Sequence, residues 1–344
     1  MADFYNSFDD GDFGQRRVMR PTKRTWFKHG CLLLLTFITS TIAGVVQPFG
    51  VIEILPELDS PEISGLTDAL LMLPVAYFNL VLTAVYNLAT NAEILTRGLE
   101  FSVSLLFILT AHEAGHYIAC RIYRVDATLP YFIPTPVLIG PAGTLGAFIK
   151  ILSPMPSRKA VFDIGVAGPI AGFVALLPVA GLAIATTEYA EILPVAKGEF
   201  QMEFSNPLIF SFFAYFGGFD LSMPILPNPF YFAAWLGMLI TALNLIPSGQ
   251  LDGGHAIYAV FGERFHRWIG RFAFVTMAIL SVLGWFFFGS PSGFLFALIL
   301  AIMLRIKHPT PIDTSPLDFK RKVVAVITLI IFILCFVPFP IQLS

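Results

Sequence analysis

Long apolar runs separated by short polar segments dominate the 344-residue chain. A helix needs about 20 apolar residues to cross about 30 Å of hydrocarbon, and several of these runs reach or approach that length. The candidate spans are residues 30–47, 99–120, 160–185, 229–247, 270–288, 292–306 and 323–341. The pattern predicts an all-α polytopic membrane protein with about seven transmembrane helices, within a range of roughly six to eight.

A further apolar stretch, 66–90, does not fit this series. It contains Pro74, Asn79 and Asn87, and we expect these residues to interrupt a helix. The sequence therefore favours a re-entrant or interfacial segment here. If 66–90 crossed the membrane fully, the basic loops would no longer all lie on the cytoplasmic side. The alternative is that the N-terminus lies outside despite its positive charges.

Charge is distributed unevenly between the apolar runs. Lysine and arginine cluster in residues 16–28, 121–124, 150–159, 264–271 and 305–322, whereas 53–62 and 188–203 are mainly acidic. Because short cytoplasmic loops carry an excess of Lys and Arg, we expect the basic segments on the cytoplasmic side and the acidic ones outside.

Composition supports this interpretation and excludes several classes of protein. Apolar residues make up 56% of the chain and charged residues 13%, against roughly 25% charged in average soluble domains. The net charge of −2, without a basic groove or a phosphate-binding loop, excludes nucleic acid and nucleotides as expected partners. The N-terminus has no Ser- and Arg-rich, acid-poor transit segment, so we expect a bacterial cytoplasmic membrane, with a thylakoid as the alternative.

Residues 130–156 are apolar but rich in proline and glycine, which a continuous helix does not tolerate. Non-helical backbone at membrane depth is stable only where protein or a water-filled cavity satisfies its polar groups. We therefore expect a short membrane-embedded β-like or re-entrant segment beside a cavity, with TLGAFIKI as its strand.

The pattern HExxH occurs near the end of the apolar run FSVSLLFILTA, at His112, Glu113 and His116. Residues i and i+4 share one helical face, so both imidazoles can bind one metal ion, and the glutamate between them can activate water. The alternative is that the histidines bond to neighbouring helices while Glu113 stays protonated. Ionisable side chains in a span usually mark a functional site, which favours the metal.

Tetrahedral zinc in an enzyme has three protein ligands and one open position, so two histidines leave one ligand missing. Asp252 follows an apolar span that is broken at Pro247 and Gly249, and it can complete a His₂Asp set. The alternative is a helix N-cap, since Asp precedes Gly253 and Gly254. Both motifs lie at the predicted cytoplasmic ends of their spans, and so at the same depth.

The two motifs together resemble the site-2 protease family of intramembrane zinc metalloproteases. The match comprises HEAGH and the pattern N-x-x-P-x-x-x-L-D-G at Asn244, Pro247, Leu251, Asp252 and Gly253. The segments HEAGHYIACRIYRVDATLPYFIPTP, GTLGAFIKI and FDIGVAGPIAGF resemble the cyanobacterial and plastid branch, the ethylene-dependent gravitropism-deficient type. The resemblance covers roughly residues 99–260.

This resemblance implies a catalytic three-helix core that binds one zinc ion per chain. Its ligands would be His112, His116 and Asp252, and Glu113 would be the general base. Asn244 would help to position the substrate backbone, and the glycine-rich segment containing Gly143 and Gly146 would offer a strand edge to an unwound substrate. The substrates would be membrane-anchored proteins with a single span, cut in or near that span.

The predicted organisation is a cytoplasmic basic tail (1–29), an N-terminal anchor with the re-entrant segment (30–98), the catalytic core (99–260) and C-terminal helices (261–344). Two rival functions are a metal or proton transporter and an inactive homologue that binds membrane proteins.

Other residues near the motifs have predicted structural roles. Gly165, Gly168 and Gly172 fit close helix packing rather than a substrate role. We expect His255 to support or cap the site rather than bind metal, and Cys120 to be a small buried apolar residue.

Overall fold

The computed structural model describes residues 20–53, 65–137, 139–140, 142–190, 202–221 and 223–343. Most of the predicted tail (1–29) and of the acidic segment 53–62 lies outside these residues, as does much of 188–203. The described part is mostly helical, as predicted.

Ten helices occur in the described residues. They are α1 Lys23–Ala43, α2 Leu66–Thr90, α3 Ala92–Ile122, α4 Arg158–Ala185, α5 Leu208–Gly217, α6 Pro229–Leu245, α7 Asp252–Phe261, α8 Glu263–Phe288, α9 Ser292–Met303 and α10 Phe319–Cys335. Six short strands form three antiparallel two-stranded sheets. The pairs are β1 Tyr131–Pro134 with β2 Thr144–Phe148, β3 Glu188–Tyr189 with β5 Ile225–Leu226, and β4 Met202–Phe204 with β6 Ile341–Leu343.

Five of the described helices are long and apolar enough to cross a membrane: α1, α2, α3, α4 and α8. The helices at three other predicted spans are shorter, with 17 residues in α6, 12 in α9 and 17 in α10. These five helices are candidate membrane spans by length and composition, and a polytopic protein with about seven spans stays a prediction.

The predicted interruption of 66–90 is wrong, because α2 is one continuous helix of 25 residues. Pro74 lies inside this helix without ending it. Asn87 satisfies its side-chain amide within the helix by donating to the Thr83 carbonyl at 2.8 Å. The segment Leu70–Thr90 therefore has the length and composition of a span, although only 17% of its most apolar stretch is buried.

The centre of the fold is formed by α3, α4 and α6, which pack against one another more extensively than the peripheral helices do. Their shared core contains fully buried Leu105, Leu176 and Met238. A Cβ atom on Gly237 of α6 would come within 3.0 Å of Ile108 and 3.2 Å of Leu176. This glycine therefore lets the three helices approach closely.

A β-hairpin lies beside this three-helix core. Its second strand, β2, falls within the strand that the sequence predicts, whereas the pairing with β1 is not predicted. β1 and β2 pair antiparallel with Tyr131 opposite Phe148. Helix α1 supports the hairpin, because His29 Nδ1 lies 2.7 Å from the Pro130 carbonyl and the Thr39 hydroxyl donates to the Gly143 carbonyl at 2.6 Å. Irregular backbone continues after β2 to the start of α4 at Arg158.

Candidate metal centre

Three side chains from two separate segments converge in the interior of the core. His112 and His116 lie one turn apart on α3, and both are buried. Their Nε2 atoms are 3.1 Å apart, and each lies 3.3 Å from Oδ2 of Asp252, the first residue of α7. The three ligand atoms thus form a nearly equilateral triangle.

The size of this triangle fits zinc. Nitrogen and oxygen ligands lie about 2.0–2.2 Å from tetrahedral zinc, so two such ligands are about 3.3 Å apart. The observed edges of 3.1, 3.3 and 3.3 Å match one face of that tetrahedron. Among the described residues no fourth metal-ligating side chain joins this group, which leaves the fourth corner for a non-protein ligand, as in catalytic rather than structural zinc sites.

A backbone contact orients His116. Its Nδ1 lies 2.7 Å from the carbonyl oxygen of Ile164 on α4. A ring that donates Nδ1–H to this carbonyl keeps Nε2 unprotonated, and Nε2 is the atom that faces Asp252 and His112. The start of α4 therefore fixes the tautomer that a metal ligand requires.

Glycines on α4 make room for the two imidazoles. A Cβ atom on Gly168 would lie 2.1 Å from His116 Nε2, and one on Gly172 would lie 3.1 Å from the Cβ of His112. A Cβ on Gly165 would lie 2.7 Å from His255. The predicted packing role of these glycines is confirmed, and the surfaces they pack against are the side chains of the site itself.

Asp252 is placed by a sharp change of direction between α6 and α7. Gly249 has φ +55°, in the left-handed region that favours glycine. A Cβ on Gly253 would lie 2.0 Å from the Leu245 carbonyl, so the start of α7 packs directly on the end of α6. The N-cap of α7 is Leu251 rather than Asp252, which rules out the alternative role of Asp252 as an N-cap.

Glu113 is buried beside the triangle and lines a cavity of about 870 Å³ together with both histidines and Asp252. Ile149, the residue after β2, lines the same cavity. The amide nitrogen of Asn244 lies 3.4 Å from His112 Nε2. These residues therefore surround the free side of the triangle.

Another wall of this cavity is the segment 147–155, which runs from the end of β2 into the backbone after it. The Lys150 amide donates to the Thr128 hydroxyl at 2.9 Å, and the Leu152 amide donates to the Asp126 carbonyl at 2.7 Å. In an extended antiparallel pair, the backbone groups of alternate residues point to opposite sides. The backbone groups of Ile149 and Ile151 therefore point away from 126–128 and towards the cavity.

Gly143 and Gly146 do not line this cavity. Both have positive φ, +70° and +93°, which explains the need for glycine at the turn and in β2. Their substrate-binding role stays a prediction. The neighbouring segment 147–155 does line the cavity, and it overlaps the strand 144–151 that the sequence predicted beside a cavity.

His255 is not part of the metal-ligating triangle. It lines the cavity, and its Nδ1 lies 2.7 Å from Nε2 of His308, in the segment between α9 and α10. Burial lowers the pKa of His308 to about 3, so its ring is neutral, and it also stacks on Tyr258 with ring centroids 3.9 Å apart. No local residue pattern indicates this partner, which is 53 positions away.

Cys120 is fully buried in an apolar cluster with Ala119 and Val125. It is free, as are Cys31 and Cys335. The predicted role of Cys120 as a small buried residue is confirmed.

Comparison with known proteins places this site in a family. Residues 100–288 match the model of peptidase family M50. The chain belongs to this family, the site-2 protease family. The predicted class, a zinc metalloprotease, and the predicted cofactor, zinc, are confirmed as those of the family.

Two plant relatives extend the comparison beyond the core. The chain is 31% identical to "Probable zinc metalloprotease EGY1, chloroplastic" of Arabidopsis thaliana, over 70% of this chain and 43% of the relative. It is 26% identical to the protein of the same name from Oryza sativa subsp. japonica, over 94% of this chain and 53% of the relative. The chain thus spans about half the length of these relatives. No solved structure matches.

Proposed function

We propose that this chain is a zinc-dependent endopeptidase that hydrolyses peptide bonds in or near the transmembrane segments of membrane-anchored proteins, in particular proteins with a single span. The observation that carries the proposal is the triangle of His112, His116 and Asp252, with its open corner facing a cavity that Glu113 also lines. One zinc ion per chain would be held by these three residues.

When bound, zinc supplies Lewis-acid polarisation of the scissile carbonyl and makes water more acidic. Glu113 takes a proton from the attacking water and passes it to the leaving amine. Glu113 follows His112 directly in sequence, which holds its side chain at the edge of the triangle. The Glu113 carboxylate is buried, which limits its contact with bulk water. Asn244 donates its amide N–H groups to the substrate backbone.

The substrate binds as an extended strand. A transmembrane helix has its amides in internal hydrogen bonds, so it must unwind locally before a peptide carbonyl can be attacked. The cavity-facing backbone groups of Ile149 and Ile151 offer an edge to which an extended segment can add. Ile149 and Glu113 line the same cavity, so this edge and the general base face the same space.

The proposed orientation opens the site towards the cytoplasmic side. The cavity is lined by Lys150, and α4 begins with Arg158 and Lys159, all in a basic segment. Water needed for hydrolysis would enter from this side. We propose a bacterial cytoplasmic membrane, with a thylakoid as the alternative; the relatives named above are described as chloroplastic.

Metal content tests the ligand set without a known substrate. Purified protein in detergent should contain about one zinc per chain, and His116→Ala and Asp252→Ala should each lose most of it. His29→Gln is the matched control, since His29 is buried on α1 and contacts the Pro130 carbonyl instead of the triangle. Equal zinc content in the wild type, His116→Ala, Asp252→Ala and the control would show that His116 and Asp252 are not zinc ligands.

Cleavage tests the chemistry. Zinc-loaded protein is incubated with a panel of single-span segments, some containing Gly, Asn or Pro and some all-Leu, and fragments are identified by mass spectrometry. Glu113→Gln should lower cleavage by about 10²–10⁴-fold while it retains zinc, because this is the usual contribution of general acid–base catalysis.

Glu100→Gln, on the same helix but away from the cavity, should cut like the wild type. Identical fragments from wild type and Glu113→Gln would refute the proposed chemistry. Zinc-loaded protein that cuts no segment of the panel would refute the proposed substrate class.

A further inference from the structure

The first turns of α8 present a cluster of arginines that the proposed proteolysis does not use. Arg264, Arg267 and Arg271 line a cavity of about 300 Å³ together with Trp268. Residues spaced by three or four positions lie on one face of a helix, so the three guanidinium groups point in one direction. The Arg271 guanidinium lies over the Trp268 ring, 5.7 Å from its centroid.

The positive charge of this cluster has little compensation. Within the part of the chain that the structure describes, Arg264 and Arg271 form no ion pair with a carboxylate. Arg267 contacts Glu263 at 3.9 Å, but both side chains are more than half exposed. Exposed pairs of this kind stabilise a protein by about 0–1 kcal/mol, so Arg267 remains free to bind another anion.

A second cavity adjoins the first and adds one further cation, Lys307, together with the Glu263 carboxylate. Its volume is about 320 Å³, and it shares Arg267 and Arg271 with the first cavity. Lys307 and Thr310, from the segment between α9 and α10, line its other side. The cationic region is thus a cleft between two parts of the fold and not only the end of one helix.

Large apolar side chains continue from the arginines along α8. Phe265, Trp268 and Phe272 are 58%, 63% and 72% exposed. Residues 272–288 carry no charge, and α8 is long and apolar enough to span. The cluster therefore lies where a spanning helix passes from hydrocarbon into the headgroup region, the level at which tryptophan is enriched.

We propose that the cleft formed by Arg264, Arg267, Arg271 and Lys307 binds the anionic headgroup of a membrane phospholipid. The arginines hold the phosphate with paired N–H donors, and one acyl chain lies along Trp268 and Phe272. Basic pockets between transmembrane helices bind such headgroups. The exposed aromatic side chains favour a lipid over a free phosphate, because a free phosphate has no apolar part for them to contact.

The experiment measures lipid association in bilayers. The full chain is reconstituted in phosphatidylcholine nanodiscs with a minority of phosphatidylglycerol, and spin-labelled analogues of both lipids report their relative affinity. The wild type should prefer phosphatidylglycerol. The triple variant Arg264→Gln/Arg267→Gln/Arg271→Gln should lose roughly 10- to 100-fold of that preference, since each basic residue near the surface contributes about a factor of five.

A matched triple, Lys23→Gln/Arg24→Gln/Lys320→Gln, removes the same charge from exposed positions at the ends of α1 and α10. It should keep the preference within about twofold of the wild type. Equal losses in both triples would overturn the proposal, because general electrostatic attraction would then explain the result. Wild-type zinc content in the variants confirms that they are folded.

A second experiment, with a soluble ligand, distinguishes a lipid headgroup from a free phosphate compound. Glycerol phosphate is titrated onto the detergent-solubilised protein by calorimetry, and we expect no measurable binding. The lipid proposal would be overturned if the wild type bound glycerol phosphate, the arginine triple variant did not, and the wild type showed no lipid preference in nanodiscs. The cleft would then bind a soluble anion.

Discussion

Helices α3 and α2 are both apolar enough to span a membrane, but they have different surroundings. In the most apolar stretch of α3, 44% of the residues are buried inside the protein, and in α4 the value is 50%. In α2 and α8 it is only 17%. Apolar composition therefore identifies candidate spans but does not separate a catalytic core from its periphery.

Residue size explains much of the difference. Without a hydrophobic driving force between helices in lipid, association depends on close packing, which small residues permit. Gly165, Gly168 and Gly172 let α4 approach the histidines of α3, whereas exposed Phe286 and Phe287 project from α8. Substitutions in the core should therefore lower zinc affinity or the free energy of unfolding more than substitutions in the peripheral helices.

The largest effect is expected for Gly168→Ala. The added methyl group would lie 2.1 Å from His116 Nε2, so the imidazole must move away from Asp252. We expect zinc affinity to fall about 100-fold, at the upper end of the range for changes that misorient a metal ligand. Competition with a fluorescent zinc chelator measures this affinity.

Gly181→Ala is the control on the same helix, because its nearest neighbour outside the helix backbone would be 3.6 Å away. Gly172→Ala should be intermediate, with contacts of 3.1 and 3.2 Å to His112. Equal affinities across the series would show that α4 does not shape the site.

Removal of a buried side chain should have the next largest effect. Leu176→Ala opens a void between α3, α4 and α6, where Leu176 is fully buried. We expect the free energy of unfolding to fall by about 2 kcal/mol, at the low end for such changes, because lipid solvates the exposed chain better than water does.

Leu71→Ala on α2 is the matched control, since Leu71 is 73% exposed, and its effect should be below about 0.5 kcal/mol. Thermal unfolding in one detergent compares the two variants. Similar losses would mean that α2 is packed as tightly as the core.

The smallest effect is expected at the start of α4. The Ser157 side chain accepts a hydrogen bond from the Ala160 amide at 3.2 Å and caps this helix. Ser157→Ala should lower stability by about 1 kcal/mol. Ser157→Asn, which keeps a capping oxygen, should restore most of it in the same unfolding assay. Unchanged stability in Ser157→Ala would show that tertiary contacts stabilise the start of α4 without the cap.

Local patterns predicted several parts of the fold and of the site. The helical i, i+4 spacing of His112 and His116 placed both imidazoles on one face before any tertiary information was used. The density of proline and glycine in 130–156 predicted non-helical backbone there, with one short strand, but not the pairing of β1 with β2. The prediction failed for 66–90, because a proline or an asparagine inside an apolar helix can be accommodated when the neighbouring turns satisfy the polar groups.

The sequence by itself determined which residues can bind metal, because HExxH and the Asp252 motif depend on residue type and short spacing. Only the tertiary structure decided that Asp252 reaches both histidines, that Ile164 fixes the tautomer of His116 and that His308 contacts His255. These contacts join residues 48 to 140 positions apart, and their formation depends on how α4 packs on α3 and how α7 packs on α4. The spacing of Gly165, Gly168 and Gly172 predicts close helix packing, but a short-range pattern does not encode which distant side chains these glycines meet.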